Sequence, residues 1–209
     1  YSITDKYGTY TPLPEDSVSV APNKLKVSNV SNPFYFPAKQ TYTVSSRNIV
    51  AMATATTALS TGQFGQFPLY VFTGEGVFAL SVGTGDIAYA NSFSVTRDVC
   101  NNPDSIVSTD DAIVFSTDSG LKVLSGSTVR DISSDMEGYL PTAVDSSPII
   151  KKIAGVGGFS DKLSSTEFIY YLEEAKVGYN YEDKEVIVAN RNYPYSYVFN
   201  MQSGSWYKI

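Results

Sequence analysis

Short apolar runs rich in β-branched and aromatic residues alternate with glycine-containing turns along much of this chain. In residues 69–82, the run LYVFT meets a short turn that ends on Gly76, and the run VFALSV follows. Residues 113–124 repeat this order with IVFST, a turn that ends on Gly120, and LKVL, at an offset of 44 residues. Runs of this length bounded by turns predict antiparallel strands joined as hairpins.

The hairpin pattern extends to a third, looser copy and to a candidate first strand in every copy. The third copy comprises residues 186–190, 195–201 and 206–209, and the first strands are predicted at 49–53, 104–108 and 175–181. Four short antiparallel strands recurring about every 40 to 50 residues are typical of β-propeller blades. We therefore predict an all-β, propeller-like array of three to four four-stranded blades, the fourth in residues 24–47. Three or four blades are at or below the number that usually closes a propeller, so an incomplete ring is one possibility. A β-sandwich is the alternative fold.

One segment departs from the strand pattern and predicts a helix at about residues 161–175. Ser164, with Glu167 three positions later, matches a capping box at the start of a helix. The apolar face of this helix, at i, i+3, i+4 and i+7, comprises Phe168, Tyr171, Leu172 and Ala175. We predict that the helix is an insertion between blades of a β-domain spanning residues 24–209. Residues 1–23 lack sustained periodicity and predict an N-terminal arm or linker.

The composition excludes most enzyme chemistry. The 209 residues include no histidine and one cysteine, which excludes histidine-dependent nucleophiles, histidine metal ligands and an internal disulfide. A formal charge of −6 argues against sequence-specific nucleic-acid binding and against a polybasic membrane contact. No run approaches the roughly 18 to 20 apolar residues of a membrane-spanning helix. The chain starts at Tyr1 with no signal-peptide pattern, and we expect a fragment of a longer protein.

Acidic side chains in predicted turns are the remaining candidates for catalysis, because glycoside hydrolysis needs two carboxylates at a defined separation. The acidic candidates are Glu75, Asp98, Asp104, Asp110 and Asp111, and Arg97 lies near them in sequence. Acidic residues in turns of a β-protein are usually solvated and stabilise the turn. No glycine-rich segment has the residue spacing of a phosphate-binding or calcium-binding loop. We therefore predict no enzyme and no catalytic, cofactor-binding or metal site.

The sequence pattern identifies four residues in structural turns: Gly76, Asp118, Gly120 and Gly204. Residues 116–120 (STDSG) are similar to the Asp-box turn of sialidase-type propellers, without its tryptophan. In such a turn the aspartate caps backbone N–H groups while glycine takes a positive φ, which we predict at Gly76 and Gly120. The tyrosines of residues 193–197 favour packing between sheets over stacking on sugars.

Several longer strings carry a resemblance to a known family. They are NPFYFP at residues 32–37, FPLYVFTGEGVFAL at 67–80, TRDVCNNPDSI at 96–106 and SGSW at 203–206. These strings resemble the tail nozzle or muzzle proteins of short-tailed and crAss-like phages and of related prophages. The resemblance runs from about residue 24 to the end of the chain, and its motifs are hairpin and packing strings rather than catalytic signatures.

The resemblance implies a virion structural protein with a propeller-like β-domain, in a ring around the DNA exit channel of a phage tail. Its implied partners are other tail or portal-proximal subunits and further copies in a homo-oligomeric ring. The implied location is the virion, assembled in the cytoplasm of the bacterial host. The family brings no catalytic residues to this chain. The alternative is a carbohydrate-binding or glycoside-hydrolase-type β-propeller, since one fold serves many functions.

Overall fold

The computed structural model describes residues 3–5, 8–10, 20–56, 67–134 and 165–209. Its strands are β1 (Ile3–Asp5), β2 (Gly8–Tyr10), β3 (Lys24–Lys26), β4 (Thr41–Thr43), β5 (Ile49–Thr54), β6 (Leu69–Thr73), β7 (Gly76–Val82), β8 (Tyr89–Thr96), β9 (Val107–Ser108), β10 (Ile113–Thr117), β11 (Gly120–Ser125), β12 (Thr128–Asp131), β13 (Lys176–Asn180), β14 (Glu185–Ala189), β15 (Ser196–Asn200) and β16 (Ser205–Lys208). The helices are α1 (Ser165–Glu173) and two 3-10 turns, Ala38–Gln40 and Pro103–Ser105.

Three four-stranded antiparallel sheets follow one another along the chain. Sheet I has the order β5-β6-β7-β8, sheet II the order β9-β10-β11-β12, and sheet III the order β13-β14-β15-β16. Strands that are neighbours in sequence pair in each sheet, so all three are simple meanders. The hairpins at Gly76, Gly120 and Pro194 each join the second and third strands of their sheets. The predicted all-β fold built from four-stranded antiparallel units is confirmed.

Sheet II buries both of its faces, so the core lies in layers between successive sheets. Ile113 and Phe115 on β10 join the apolar cluster shared with sheet I, and Val114 joins the cluster shared with sheet III. Alternate side chains of a strand point to opposite faces, which is why one short apolar run serves two layers. In a two-layer β-sandwich each sheet buries one face, so the observed stack differs from that alternative.

The first strands of the three sheets lie next to each other: β9 contacts both β5 and β13. The small sheet β3–β4 packs on the opposite face of sheet I from sheet II, through Val44 against Val71 and Leu80. The resulting order is small sheet, sheet I, sheet II, sheet III. Within the ranges that the structure describes, no apolar cluster joins the small sheet to sheet III.

Helix α1 packs between sheets II and III. The residues of the predicted apolar face are all buried: Phe168, Tyr171, Leu172 and Ala175. The Phe168 ring meets Tyr197 and Trp206 edge-on, with ring centroids 5.2 and 5.7 Å apart. The predicted insertion is therefore an integral part of the core between sheets II and III. The predicted N-cap Ser164 and the start of the predicted helix lie outside the described residues.

Two buried asparagines hold the C-terminal end of α1. The amide nitrogen of Asn102 donates to the carbonyl oxygens of Leu172 (3.0 Å) and Ala175 (2.6 Å). The amide nitrogen of Asn190 donates to the carbonyl of Tyr171 (2.7 Å). Carbonyls in the last turn of a helix have no partner within the helix, and buried ones cost stability when unpaired. Because Asn102 precedes sheet II and Asn190 follows β14, the helix end ties two sheets together.

The fourth blade predicted within residues 24–47 is wrong in its strand number, because that segment contains the two-stranded sheet β3–β4. Fourteen residues, 27–40, separate the two strands, and they include Pro33 and Pro37. Proline has no N–H to donate to a neighbouring strand, so this connection does not extend the sheet.

Two further elements differ in detail from the sequence predictions. The first strand of the second copy, predicted at residues 104–108, is reduced to β9, because Pro103–Ser105 forms a 3-10 turn. Asn102 caps that turn by accepting a hydrogen bond from the backbone N–H of Asp104. The predicted N-terminal arm contains the hairpin β1–β2, whose three-residue strands are too short to show an alternating pattern in sequence.

Candidate interaction surfaces

The predicted turn glycines have positive φ angles in the structure. The φ angles are +126° at Gly76, +121° at Gly120 and +64° at Gly204, which confirms the prediction for the first two. A Cβ atom built on Gly76 would overlap the carbonyl oxygen of Thr96 and lie 2.7 Å from the Cα of Arg97. A side chain at Gly76 is therefore opposed both by the backbone conformation and by the end of β8.

A threonine three positions before the glycine holds each of the first two turns. The hydroxyl of Thr73 accepts from the backbone N–H of Glu75 (3.2 Å) and donates to the carbonyl of Gly76 (2.9 Å). Thr117 makes the same two bonds in the second turn. The spacing Thr-x-x-Gly is present in both copies of the sequence, and it is the signal that would have identified these caps.

The cap expected from Asp118 is wrong. Asp118 lies in the turn, but its carboxylate accepts a hydrogen bond from the side chain of Asn101, while Thr117 satisfies the turn. The turn before Gly204 is capped by Asn200, whose side-chain oxygen accepts from the backbone N–H groups of residues 202 and 203. Short polar side chains therefore bind local backbone groups in all three turns.

The acidic residues considered for catalysis lie in separate connections between strands, each with its own partner: Glu75 with Ser46, Asp98 with Thr96, and Asp104 with Lys176. Hydrogen bonds from Ser46 lower the pKa of Glu75. Only Asp110 and Asp111 come together at one place, beside an open cleft. Of the five acidic candidates, this pair is therefore the one that lies together beside a described cleft.

Asp110 lies where contacts from all three large sheets meet. Its carboxylate accepts from the Tyr179 hydroxyl (2.7 Å) and lies 3.0 Å from the ammonium group of Lys184. Its backbone carbonyl accepts from the hydroxyl of Thr56, which lies just after strand β5 of sheet I. The hydrogen bond from Tyr179, followed by that from Lys184, lowers the pKa of Asp110. An ionised carboxylate held in this way links the sheets and is a poor proton donor.

A cleft of about 400 Å³ opens beside Asp110 between sheets II and III. Its lining includes Asp110, Asp111, Arg130, Lys184, Met201 and Gln202. Lys184 has a φ of +57°, the one positive value at a non-glycine position among the described residues. The N–H of Met201 donates to the carbonyl of Lys184 (2.9 Å), which holds the lysine in this conformation. A left-handed residue is common at the end of a hairpin turn, and here the turn places Lys184 beside the cleft.

The connection between β3 and β4 exposes a run of large apolar side chains. We call residues 29–36 the aromatic loop. Its exposed fractions are 101% for Val30, 91% for Phe34, 56% for Tyr35 and 51% for Phe36. Single exposed apolar residues are ordinary, but a contiguous group on one loop is a candidate interaction site. The sequence shows these residues but does not show that they face solvent.

Hydrogen bonds give the aromatic loop a defined conformation. The N–H of Asn29 donates to the carbonyl of Tyr35 (2.8 Å), and the N–H of Tyr35 donates to the carbonyl of Asn32 (3.2 Å). The side-chain oxygens of Asn29 and Asn32 accept from the N–H groups of Ser31 (2.9 Å) and Phe34 (3.0 Å). A loop ordered in advance loses less conformational entropy when it binds.

The tyrosines of residues 193–197 pack as the sequence predicts. Tyr197 is buried, and its ring meets Tyr171 edge-on at 4.8 Å between centroids. Tyr195 stacks on Tyr171, whose hydroxyl donates to the Tyr195 carbonyl (2.8 Å). Burial raises the pKa of Tyr171 to about 12. Tyr193 is the most exposed of the three, so only it has a large surface available to a ligand.

Two kinds of site are absent from the described ranges. No group of three or more His, Cys, Asp or Glu side chains there is placed to hold a metal ion. No helix in the same ranges is long and apolar enough to cross a membrane. Comparison of the sequence with protein-family models and with curated proteins gives no match in either set.

Proposed function

We propose that this chain is a structural, protein-binding part of a phage tail nozzle, placed with other subunits around the DNA exit channel. The observation that carries the proposal is the aromatic loop, where Val30 and three consecutive aromatic residues face solvent on an ordered hairpin. Such a surface suits contact with another protein. The loop also contains most of the string at residues 32–37 that resembles the nozzle proteins.

The arrangement of the sheets supports a structural role. Sheet II buries both faces between its neighbours, as a propeller blade does, and we propose that sheets I, II and III are three successive blades. The acidic residues that a hydrolase would need are engaged in turn contacts or in the junction at Asp110. We therefore propose that the chain acts by protein contact and not by catalysis.

The test is the location of the protein in phage particles. An antibody raised against the purified chain is applied to particles released from the bacterium that carries the gene, with an antibody to the capsid protein as a control. We expect the chain to co-purify with intact particles and gold labels to lie at the end of the tail. A chain abundant in the host lysate and absent from capsid-positive particles would overturn the proposal.

The cleft beside Asp110 supports a second candidate, a carbohydrate-binding propeller. Carboxylates, an arginine and the aromatic Tyr179 line one opening of a size that fits small ligands. The test is binding to a glycan array by the wild type and by Asp111→Asn. Binding by the wild type that Asp111→Asn loses would favour this candidate, and glycan turnover by the wild type would argue against a purely structural role.

A further inference from the structure

Charge is strongly segregated along this chain. Residues 17–74 contain Lys24, Lys26, Lys39 and Arg47 and neither Asp nor Glu. That stretch has a formal charge of +4, and because the whole chain carries −6, the remaining residues carry −10. The net charge of the whole chain is therefore the sum of a basic segment and an acidic remainder.

The basic part surrounds the aromatic loop. Lys24 and Lys26 are exposed on β3, the strand that leads into the loop, and Lys39 is exposed in the turn that leaves it. Lys39 lies 3.2 Å from Asp86, so one of these charges already has a partner. The loop thus presents exposed aromatic rings on a positively charged hairpin, which suits an apolar recess with an acidic rim.

The other part of the same chain offers such a recess. The lining of the cleft between sheets II and III includes the apolar Ala112, Val123 and Met201 and the exposed Asp111. It also includes Asp110, Arg130 and Lys184, of which Asp110 and Lys184 form an ion pair. The neighbouring β13–β14 turn adds the exposed Glu182 and Asp183, so that acidic side chains at and beside the cleft exceed basic ones by two. At about 400 Å³, the cleft has room for an aromatic side chain.

The loop and the cleft of one copy lie at different places in the stack. The small sheet that carries the loop packs on one face of sheet I, and sheet II packs on the other. The cleft lies one layer further, between sheets II and III. A loop–cleft contact between two copies is head-to-tail, because each copy uses a different surface.

We propose that the aromatic loop of one copy docks into the cleft beside Asp110 of a second copy, with Phe34 entering the cleft. The exposed lysines of β3 then face the acidic rim formed by the β13–β14 turn. This inference deepens the proposed function, since it names the surfaces through which subunits of a tail assembly would contact each other. It identifies the partner as a second copy of this chain.

The first experiment is sedimentation velocity of the purified chain over a range of concentrations and at low and high salt. We expect self-association that weakens as salt rises, because opposite charges meet at the contact. Phe34→Ser should raise the dissociation constant by about tenfold or more, as expected for a central apolar anchor. Phe93→Ser is the matched control, since Phe93 is about half exposed on β8, outside both surfaces. It should leave the association unchanged.

Mixing two variants tests the head-to-tail geometry. Phe34→Ser retains the cleft, and Asp111→Lys/Gln202→Lys retains the loop; each alone should be monomeric. Their mixture should form dimers that grow no further, because only one loop–cleft pair is intact. A wild-type chain that stays monomeric, equal effects of Phe34→Ser and Phe93→Ser, or a mixture that stays monomeric would overturn the inference. Wild-type binding to anionic vesicles without self-association would also overturn it. None of these results changes whether the protein is found in phage tails, so the two proposals fail separately.

Discussion

At the scale of single residues, three glycines separate two physical costs of adding a side chain. Gly178 has an ordinary φ and open space around it, while Gly204 has a φ of +64° and the same open space. Gly76 combines a φ of +126° with backbone atoms of Thr96 and Arg97 in the way of a Cβ. The three sites therefore carry neither cost, the conformational cost alone, and both costs together.

We expect alanine to rank these sites by the free energy of unfolding measured in urea. Gly178→Ala should cost close to nothing, and Gly204→Ala should cost about 1 kcal/mol from its left-handed φ alone. Gly76→Ala should cost clearly more, and Gly76→Val more again, because the end of β8 must move. Equal urea midpoints for the variants at Gly76 and Gly178 would contradict this account of the turn.

At the scale of secondary structure, the end of α1 depends on Asn102. Its amide donates to two carbonyls of the helix end, and its oxygen accepts from Asp104 in the following 3-10 turn. We expect Asn102→Ala to lower the free energy of unfolding by about 2 kcal/mol or more, because several buried groups lose a partner together. Urea denaturation followed by circular dichroism measures this. Asn101→Ala is the control, since Asn101 is exposed and bonds only to the side chain of Asp118 among the described contacts.

The sequence predicts elements of this fold better than it predicts surfaces. The strands β6 and β10 have the predicted boundaries, because a local run of β-branched and aromatic residues specifies each of them. The cap by Asn102 connects residues about 70 positions apart, and no local pattern encodes it. The cleft likewise joins β9–β10 residues to residues after β13, so the sequence indicates its carboxylates but not their assembly.

At the scale of the whole molecule, the stack contains two intrinsic probes in two different layers. Cys100, the one cysteine of the chain, is buried in the cluster between sheets I and II. Trp206, the one tryptophan, is buried in the cluster between sheets II and III. Burial raises the pKa of the Cys100 thiol, so the thiol should react with a thiol reagent only after that layer opens. Each layer can thus be followed separately in one protein.

We expect both layers to open together in urea, because strand β10 belongs to both. Ile113 and Phe115 leave the first layer only if β10 moves, and the same movement withdraws Val114 from the second. The shared strand should therefore couple two layers that a linear array of repeats could open one at a time. Thiol labelling and tryptophan fluorescence are measured in the Phe34→Ser variant, so that association does not contribute, and their urea midpoints should coincide. Labelling of Cys100 at a clearly lower urea concentration than the fluorescence change would show that sheet I separates first, and that sharing β10 does not couple the layers.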